Sequence, residues 1–166
     1  MFDRAKLDWV NAHFIKQLSN AEIAHKVNEL YQVELSGLLK NPAGEKLFNA
    51  LKERAVRLSD FVSGAKFFTS DVVEKDPTSV ETVLKVAKPE AMPALAALLE
   101  ALPDGDWTAE KIAPLFKEAA AKIGGKMPDV AKPARVLLTG SLASPDIGLV
   151  VEVLGKERAL KRLRSN

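Results

Sequence analysis

Apolar residues recur at three- and four-residue steps along almost the whole chain, and nine prolines and nine glycines cut that rhythm into short stretches. A period near 3.6 is that of a helix with one buried face. Leu7, Val10, Phe14 and Leu18 predict an amphipathic helix over 3–17. Ser19-Asn20-Ala21-Glu22 is a capping box, in which the serine hydroxyl accepts from the Glu22 amide and the Glu22 carboxylate reaches back. Ile23, Val27 and Leu30 supply the stripe of the helix that follows. Asn41-Pro42 is a break. After it, Leu47, Ala50, Leu51, Arg54 and Leu58 share a mostly apolar helical face on which Arg54 is the polar exception. Residues 59–68 read as a short helix interrupted at Gly64.

Asp76-Pro77 precedes a second capping box, Thr78-Ser79-Val80-Glu81. Pro89 and Pro93 leave two readings open: a helix that starts at Pro89 and bends at Pro93, or one that begins at Pro93. An Ala/Leu-rich helix over 94–102 ends at Pro103-Asp104-Gly105. Thr108 is a candidate N-cap for a helix over 109–123, which Pro114 kinks or shortens and Gly124-Gly125 ends. Further helices are expected over 130–139, with Pro133 in the first turn and Gly140 at the stop, from 146 to 154 or 155, and over 156–163. Only Val72-Val73 and Val136-Leu137-Leu138 could be strands, and neither is bounded by hairpin chemistry. The expected fold is all-α, with a seam in the polar stretch 71–77 separating two small helical subdomains, 1–71 and 72–166.

Composition narrows the function classes. Hydrophobic residues make up 47% and charged residues 28%, an ordinary globular balance. The absence of cysteine excludes a disulfide framework and a thiolate metal site. His13 and His25 are too few for a histidine-based site without carboxylate help. No apolar run approaches the roughly 20 residues of a membrane span. The opening Met1-Phe2-Asp3-Arg4 lacks the apolar stretch of a signal peptide, so a cytoplasmic protein is expected. Lys plus Arg number 24 against 22 Asp plus Glu. Five of those bases (Lys156, Arg158, Lys161, Arg162 and Arg164) crowd the last helix beside one acid, Glu157. Such an end suits contact with a polyanion, or is a solvated helix whose bases favour the negative end of its dipole.

No dinucleotide-binding glycine pattern, P-loop, zinc-protease, EF-hand or nucleophile-elbow motif is present. Gly124-Gly125-Lys126 is too short to cradle a phosphate and reads as a helix stop. Glu152 and Glu157 read as surface charge. Phe67-Phe68 could stack bases, but core packing suits them better, since only Lys66 accompanies them. Trp9 and His13, at i,i+4, read as a half-buried packing pair. No catalytic or metal-binding residue is expected.

Three stretches carry a resemblance. Phe2, Asp3, Lys6, Leu7, Trp9, Asn11, Phe14, Ile15 and Lys16 match the pattern F-D-x-x-K-L-x-W-[ML]-N-x-x-[YF]-I-[RK], found after the catalytic half of glutamyl-tRNA synthetases. Residues 131–145, containing Lys132-Pro133-Ala134-Arg135 and Thr139-Gly140, resemble that family's Q-P-L-R-x-A-L-T-G-x-x-x-[ST]-P. Residues 154–163, Leu154-Gly155-Lys156-Glu157-Arg158 onward, resemble its closing L-L-G-K-E-R-x-L-x-R-[IL]. Trp107-Thr108 before a helix also agrees. Order and spacing fit across nearly the whole chain, with a weaker middle.

The resemblance implies a helix bundle that meets the inner side of a tRNA, followed by a helical cage around the anticodon loop. Its implied partners are glutamate tRNA, through anticodon loop and stem, and the synthetase catalytic domain in a full-length, monomeric ligase. Arg135 aligns with an arginine at the anticodon. Ser144, Pro145, Asp146 and Ile147 fall on the loop and helix start that meet an anticodon base, although Asp146 stands where glycine is common. Arg54 aligns, across a less similar region, with an arginine favouring the cytosine that ends a glutamate anticodon, and Lys117 falls near the same loop. Each has an alternative role: Arg135 in capping or salt-bridging its own helix, Arg54 as a snorkelling helix residue, Pro145 as a helix start. The family's catalytic H-I-G-H-like and K-M-S-K-S-like motifs are absent from these 166 residues. The chain is therefore not expected to activate glutamate unaided, and ATP and magnesium are expected only with a catalytic domain. Met1 just before the Phe-Asp pair suits a piece of a ligase, a free-standing tRNA-binding paralogue, or a helical interaction module whose RNA surface has decayed.

Overall fold

A computed structural model describes residues 3–165, and every regular element among them is helical. Phe2, which begins the first family-like stretch, lies outside the described residues. The chain divides into two compact units, Met1–Thr69 and Ser70–Asn166.

The first unit contains α1 (Arg4–Gln17), α2 (Asn20–Tyr31), a 3-10 turn (Ser36–Lys40), α3 (Pro42–Arg54), α4 (Ser59–Gly64) and α5 (Lys66–Thr69). Asp3 caps α1, its carboxylate accepting from the Ala5 amide at 3.0 Å. The capping box at α2 is complete: the Glu22 amide donates to Ser19 Oγ at 3.1 Å and the Ser19 amide to Glu22 Oε2 at 3.3 Å. Ile23 and Val27 are fully buried, as are Phe48 and Phe61, whose rings stack at 5.6 Å. Each such side chain contributes about 1.5–3 kcal/mol by leaving water. Phe67 is also buried, which makes it core rather than a base-stacking platform.

Three expectations for this unit are corrected. α3 stops at Arg54, where the Ala55 amide bonds the Leu51 carbonyl, so Leu58 belongs to the turn before α4 and not to the same face. The expected stripe on α1 is not buried either. Leu7 is 43% and Phe14 61% exposed, and only Ile15 of this helix is buried. Trp9 and His13 do stack, at 5.7 Å and 8°, but Trp9 is 68% exposed rather than half-buried.

The second unit begins with a non-helical strap, 70–76, then α6 (Pro77–Ser79) running into a π-type turn (Val80–Leu84), α7 (Ala91–Ala101), a 3-10 turn (Asp104–Asp106), α8 (Ala109–Lys122), α9 (Met127–Thr139), α10 (Ile147–Leu154) and α11 (Lys156–Leu163). α8 packs against α7, α9 and α10, and α11 closes over the same three. Leu95, Leu99, Ile112, Phe116, Leu137 and Val150 are fully buried.

Prolines explain most of the differences from the expected boundaries. α7 begins at Ala91, neither at Pro89 nor at Pro93. Pro93 then falls at the third position, where its missing N–H is one of those a helix start leaves unpaired. α9 begins at Met127 with Pro128 in its first turn, so Pro133 sits in the helix interior and is buried. Pro114 neither ends nor shortens α8; it faces solvent, where water can serve the carbonyl it leaves unpaired. The cap before α6 is Asp76, not Thr78: its Oδ2 accepts from the Ser79 amide at 2.8 Å and hydroxyl at 2.7 Å. Those two bonds, the hydroxyl foremost, hold the Asp76 carboxyl below its ordinary pKa.

The strap is not a loose linker. The Asp76 amide donates to the Gly140 carbonyl at 2.7 Å. Gly140 ends α9 at φ +91°, and a Cβ there would stand 2.2 Å from the Glu74 carbonyl oxygen. Only glycine combines that backbone with so close a neighbour.

Candidate nucleic-acid interface

The α9–α10 loop, 140–146, is organised from one side by Arg135. Just over two turns into α9, this half-buried side chain turns Nη1 toward the loop. It donates to the Ser144 carbonyl at 3.2 Å, to Ser144 Oγ at 2.8 Å and to the Pro145 carbonyl at 3.0 Å. Thr139, one turn on, holds the other end of the loop, its hydroxyl placed 2.8 Å from the Arg135 carbonyl and 3.0 Å from that of Ser141. Among the described residues, Arg135 Nη2 and Nε have no hydrogen-bond partner. One guanidinium nitrogen thus shapes the loop, while the others keep three donors on a planar edge.

Asp146 caps α10, its Oδ2 accepting from the Leu149 amide at 3.2 Å. Its φ is −50°, so the position does not require the glycine common in the resembling family. The side chain is exposed and retains acceptor capacity beside the helix start. The Ile147 side chain is buried, leaving its backbone as the part that can meet a ligand. Gly148 lets α10 approach α8: a Cβ there would lie 3.2 Å from the Ala109 carbonyl oxygen and 3.4 Å from Ala113 Cβ. Lys117 is one turn beyond Ala113 on that side of α8, exposed and without a partner among the described residues.

Arg135, Ser144 and Pro145 therefore meet in one hydrogen-bonded cluster, Asp146 and Ile147 continue it, and Lys117 is carried by the helix against which α10 packs. Arg54 belongs to the first unit. It is the exposed last residue of α3, with no partner among the described residues.

The basic end of the chain behaves differently from both readings of its charge. Lys156 donates to the Leu102 carbonyl at 2.8 Å and lies 3.3 Å from Asp104. Arg164 pairs with Glu100 at 2.8 Å. Arg162 is only 7% exposed and donates to the Leu138 and Ser70 carbonyls, both at 2.8 Å, with Arg158 reaching the same Ser70 oxygen at 3.5 Å. Burial, with Arg158 alongside and Asp71 opposing, brings the Arg162 pKa down to about 10. Lys161 alone of the five has no partner among the described residues. This cluster is an internal clamp on the strap and on α9, not a surface for a polyanion. Glu152 is likewise committed: its carboxylate accepts from the Ala109 amide at 3.2 Å and caps α8, a role expected of Thr108. The partner lies 43 residues away in sequence, and no local pattern signals it. The Trp107 indole N–H, bonded to the Val151 carbonyl at 3.2 Å, ties the same two helices.

Among the described residues no cluster of His, Cys, Asp or Glu could hold a metal ion, and no helix is long and apolar enough to cross a membrane.

Residues 12–166 match the family model of an anticodon binding domain. The glutamate–tRNA ligase of Bordetella petrii is 38% identical over 165 residues, covering 98% of this chain and 34% of the ligase. That of Stenotrophomonas maltophilia is 36% identical over 163 residues, covering 97% and 34%. Among solved structures, a glutamate tRNA ligase from Elizabethkingia meningosepticum, crystallised with its amino acid, superposes with a TM-score of 0.76 at 25% identity, covering 98% of this chain and 32% of that one. The glutamate–tRNA synthetase of Elizabethkingia anophelis gives 0.75 at 28%, covering 98% and 31%. The chain spans about a third of the length of these relatives.

Proposed function

The chain belongs to the anticodon-binding domain family, and on that footing we propose that it reads the anticodon loop of glutamate tRNA as the recognition part of a glutamate–tRNA ligase. The observation that carries this reading is the divided role of Arg135, braced to the loop through Nη1 with its remaining donors unpaired. A splayed anticodon base offers acceptors on its Watson–Crick edge. A planar guanidinium already fixed at one nitrogen can meet two of them without losing further rotamer freedom. Asp146 beside it suits the amino or imino donors of a base and disfavours a phosphate, so the loop favours reading over backbone grip. Arg54 takes the cytosine that ends the anticodon, and Lys117 supplies a phosphate contact.

On this reading the protein acts in the cytoplasm as a single copy, its partners being glutamate tRNA and a ligase catalytic domain. On the same reading, glutamate activation, with ATP and magnesium, is the work of that catalytic domain and not of this chain.

The test is titration of the chain with the glutamate anticodon stem–loop and with versions altered one base at a time. Each wrong base is expected to weaken binding by about 1–3 kcal/mol, by analogy with base-edge contacts in nucleic-acid recognition, and affinity should fall with salt as counterions are released. Equal affinity for all anticodons would exclude a reading role. No binding at all would favour a helical module whose partner is a protein.

A further inference from the structure

Four large apolar side chains of the second unit are exposed: Val72, Val86, Met127 and Leu142. Val86, 73% exposed, and Leu142, 40% exposed, line one groove of about 400 Å³, within the roughly 300–1,000 Å³ range of small-ligand clefts. Met127 immediately precedes Pro128, another wall residue. Val83 from the π-type turn and Pro133 from α9 complete the apolar surface. No other described residue of this unit covers it, and a clustered exposed apolar surface marks a place of contact.

The charges around the groove are unequal in commitment. Lys88 is engaged with the Ile123 and Gly124 carbonyls at 3.3 and 3.5 Å. The Asp129 carboxylate accepts from the Lys126 amide at 2.8 Å. Lys132 is exposed and has no partner among the described residues. The three charges on the wall, Lys88, Asp129 and Lys132, thus sum to +1, and Lys132 is the one without a hydrogen-bond partner among the described residues. Lys132 also lies three residues before Arg135, on the same side of α9. Leu142 belongs to the loop that Arg135 braces at Ser144 and Pro145. The groove thus shares α9 and the 140–146 loop with the proposed reading site.

We infer that this groove takes the unstacked base of the nucleotide flanking the anticodon triplet, with Lys132 against its phosphate. The inference rests on the anticodon-loop reading above and extends the footprint by one nucleotide. A nucleobase has two apolar faces, which valine methyls and proline rings can cover without regard to base identity, so this contact adds affinity rather than sequence discrimination.

Binding of the chain to the glutamate anticodon stem–loop is compared with binding to the same RNA made abasic on the 5′ or the 3′ side of the triplet. One of the two abasic RNAs is expected to bind about five- to tenfold more weakly. Val86→Asn should cost about the same with intact RNA and nothing further with that abasic RNA, since the two changes remove one contact. Lys132→Ala should lower the slope of log affinity against log salt by about one. If both abasic RNAs and Val86→Asn bind like the intact pair while Arg135→Ala still loses affinity, the groove assignment is overturned, the triplet reading stands, and the groove is left to a protein partner. If Arg135→Ala also binds normally, both are overturned. The abasic arm does not depend on any variant folding.

Discussion

Arg135→Ala is expected to weaken binding of the glutamate anticodon stem–loop by about 1–3 kcal/mol, roughly five- to 150-fold at 25 °C. Two effects combine in that loss. The unpaired donors of Nη2 and Nε disappear, and so does the brace at Nη1 that holds Ser144 and Pro145. Arg135→Lys separates them. A lysine ammonium can still donate to the loop carbonyls but has no planar edge to offer a base. In the lysine variant the Leu149 amide, which Asp146 caps at the end of the braced loop, should keep its hydrogen-exchange protection while discrimination between anticodons falls. In the alanine variant both should go. Full affinity and discrimination with lysine would confine Arg135 to a bracing role.

The second large effect falls on stability. Gly140→Ala is expected to destabilise the second unit by about 2–5 kcal/mol, combining a positive φ with overpacking. The added Cβ would meet a backbone oxygen, that of Glu74, at 2.2 Å, and Val73 Cγ1 at 3.1 Å. A flexible side chain could move aside; the strap's backbone cannot do so without breaking the bond from the Asp76 amide to the Gly140 carbonyl. A fall in Tm of 10 °C or more is expected for a unit of this size, with early loss of exchange protection at the Asp76 amide. Gly105→Ala is the control, since a Cβ there meets nothing within 4 Å. A similar small shift for both variants would show that the strap yields easily.

Local chemistry made much of this fold legible. The Ser19 capping box, the stop at Gly140 and the apolar stripe of α2 follow from neighbours within one or two turns, and such patterns survive in the structure. Contacts between distant residues were not legible. The bases of α11 looked available because their acceptors, the carbonyls of Leu102, Leu138 and Ser70, leave no mark on the sequence around them. Glu152 looked like surface charge for the same reason. On α1 the period was right and the burial was wrong: a stripe predicts a side that wants covering, not that the covering is present. Ordinary residue chemistry reached only a helical protein with a basic end. Arg135 and residues 144–147 were singled out through the family resemblance, and the structure adds what no motif contains, that one nitrogen of Arg135 is spent on the loop and two are not.

The grip of Arg162 on Ser70 also sets an order of events in time. The two residues are 92 positions apart, so their bond closes a loop spanning nearly the whole second unit. At about 5–20 residues per second, ribosomal synthesis leaves the strap without its guanidinium for roughly 5–20 s. Closing so long a loop is costly until the helices between its ends have packed, which places this clamp after the rate-limiting step. Arg162→Met is therefore expected to accelerate unfolding while leaving the refolding rate nearly unchanged, as stopped-flow traces in denaturant can establish. The clamp acts as a latch on a finished unit, governing how long it stays folded more than how fast it forms.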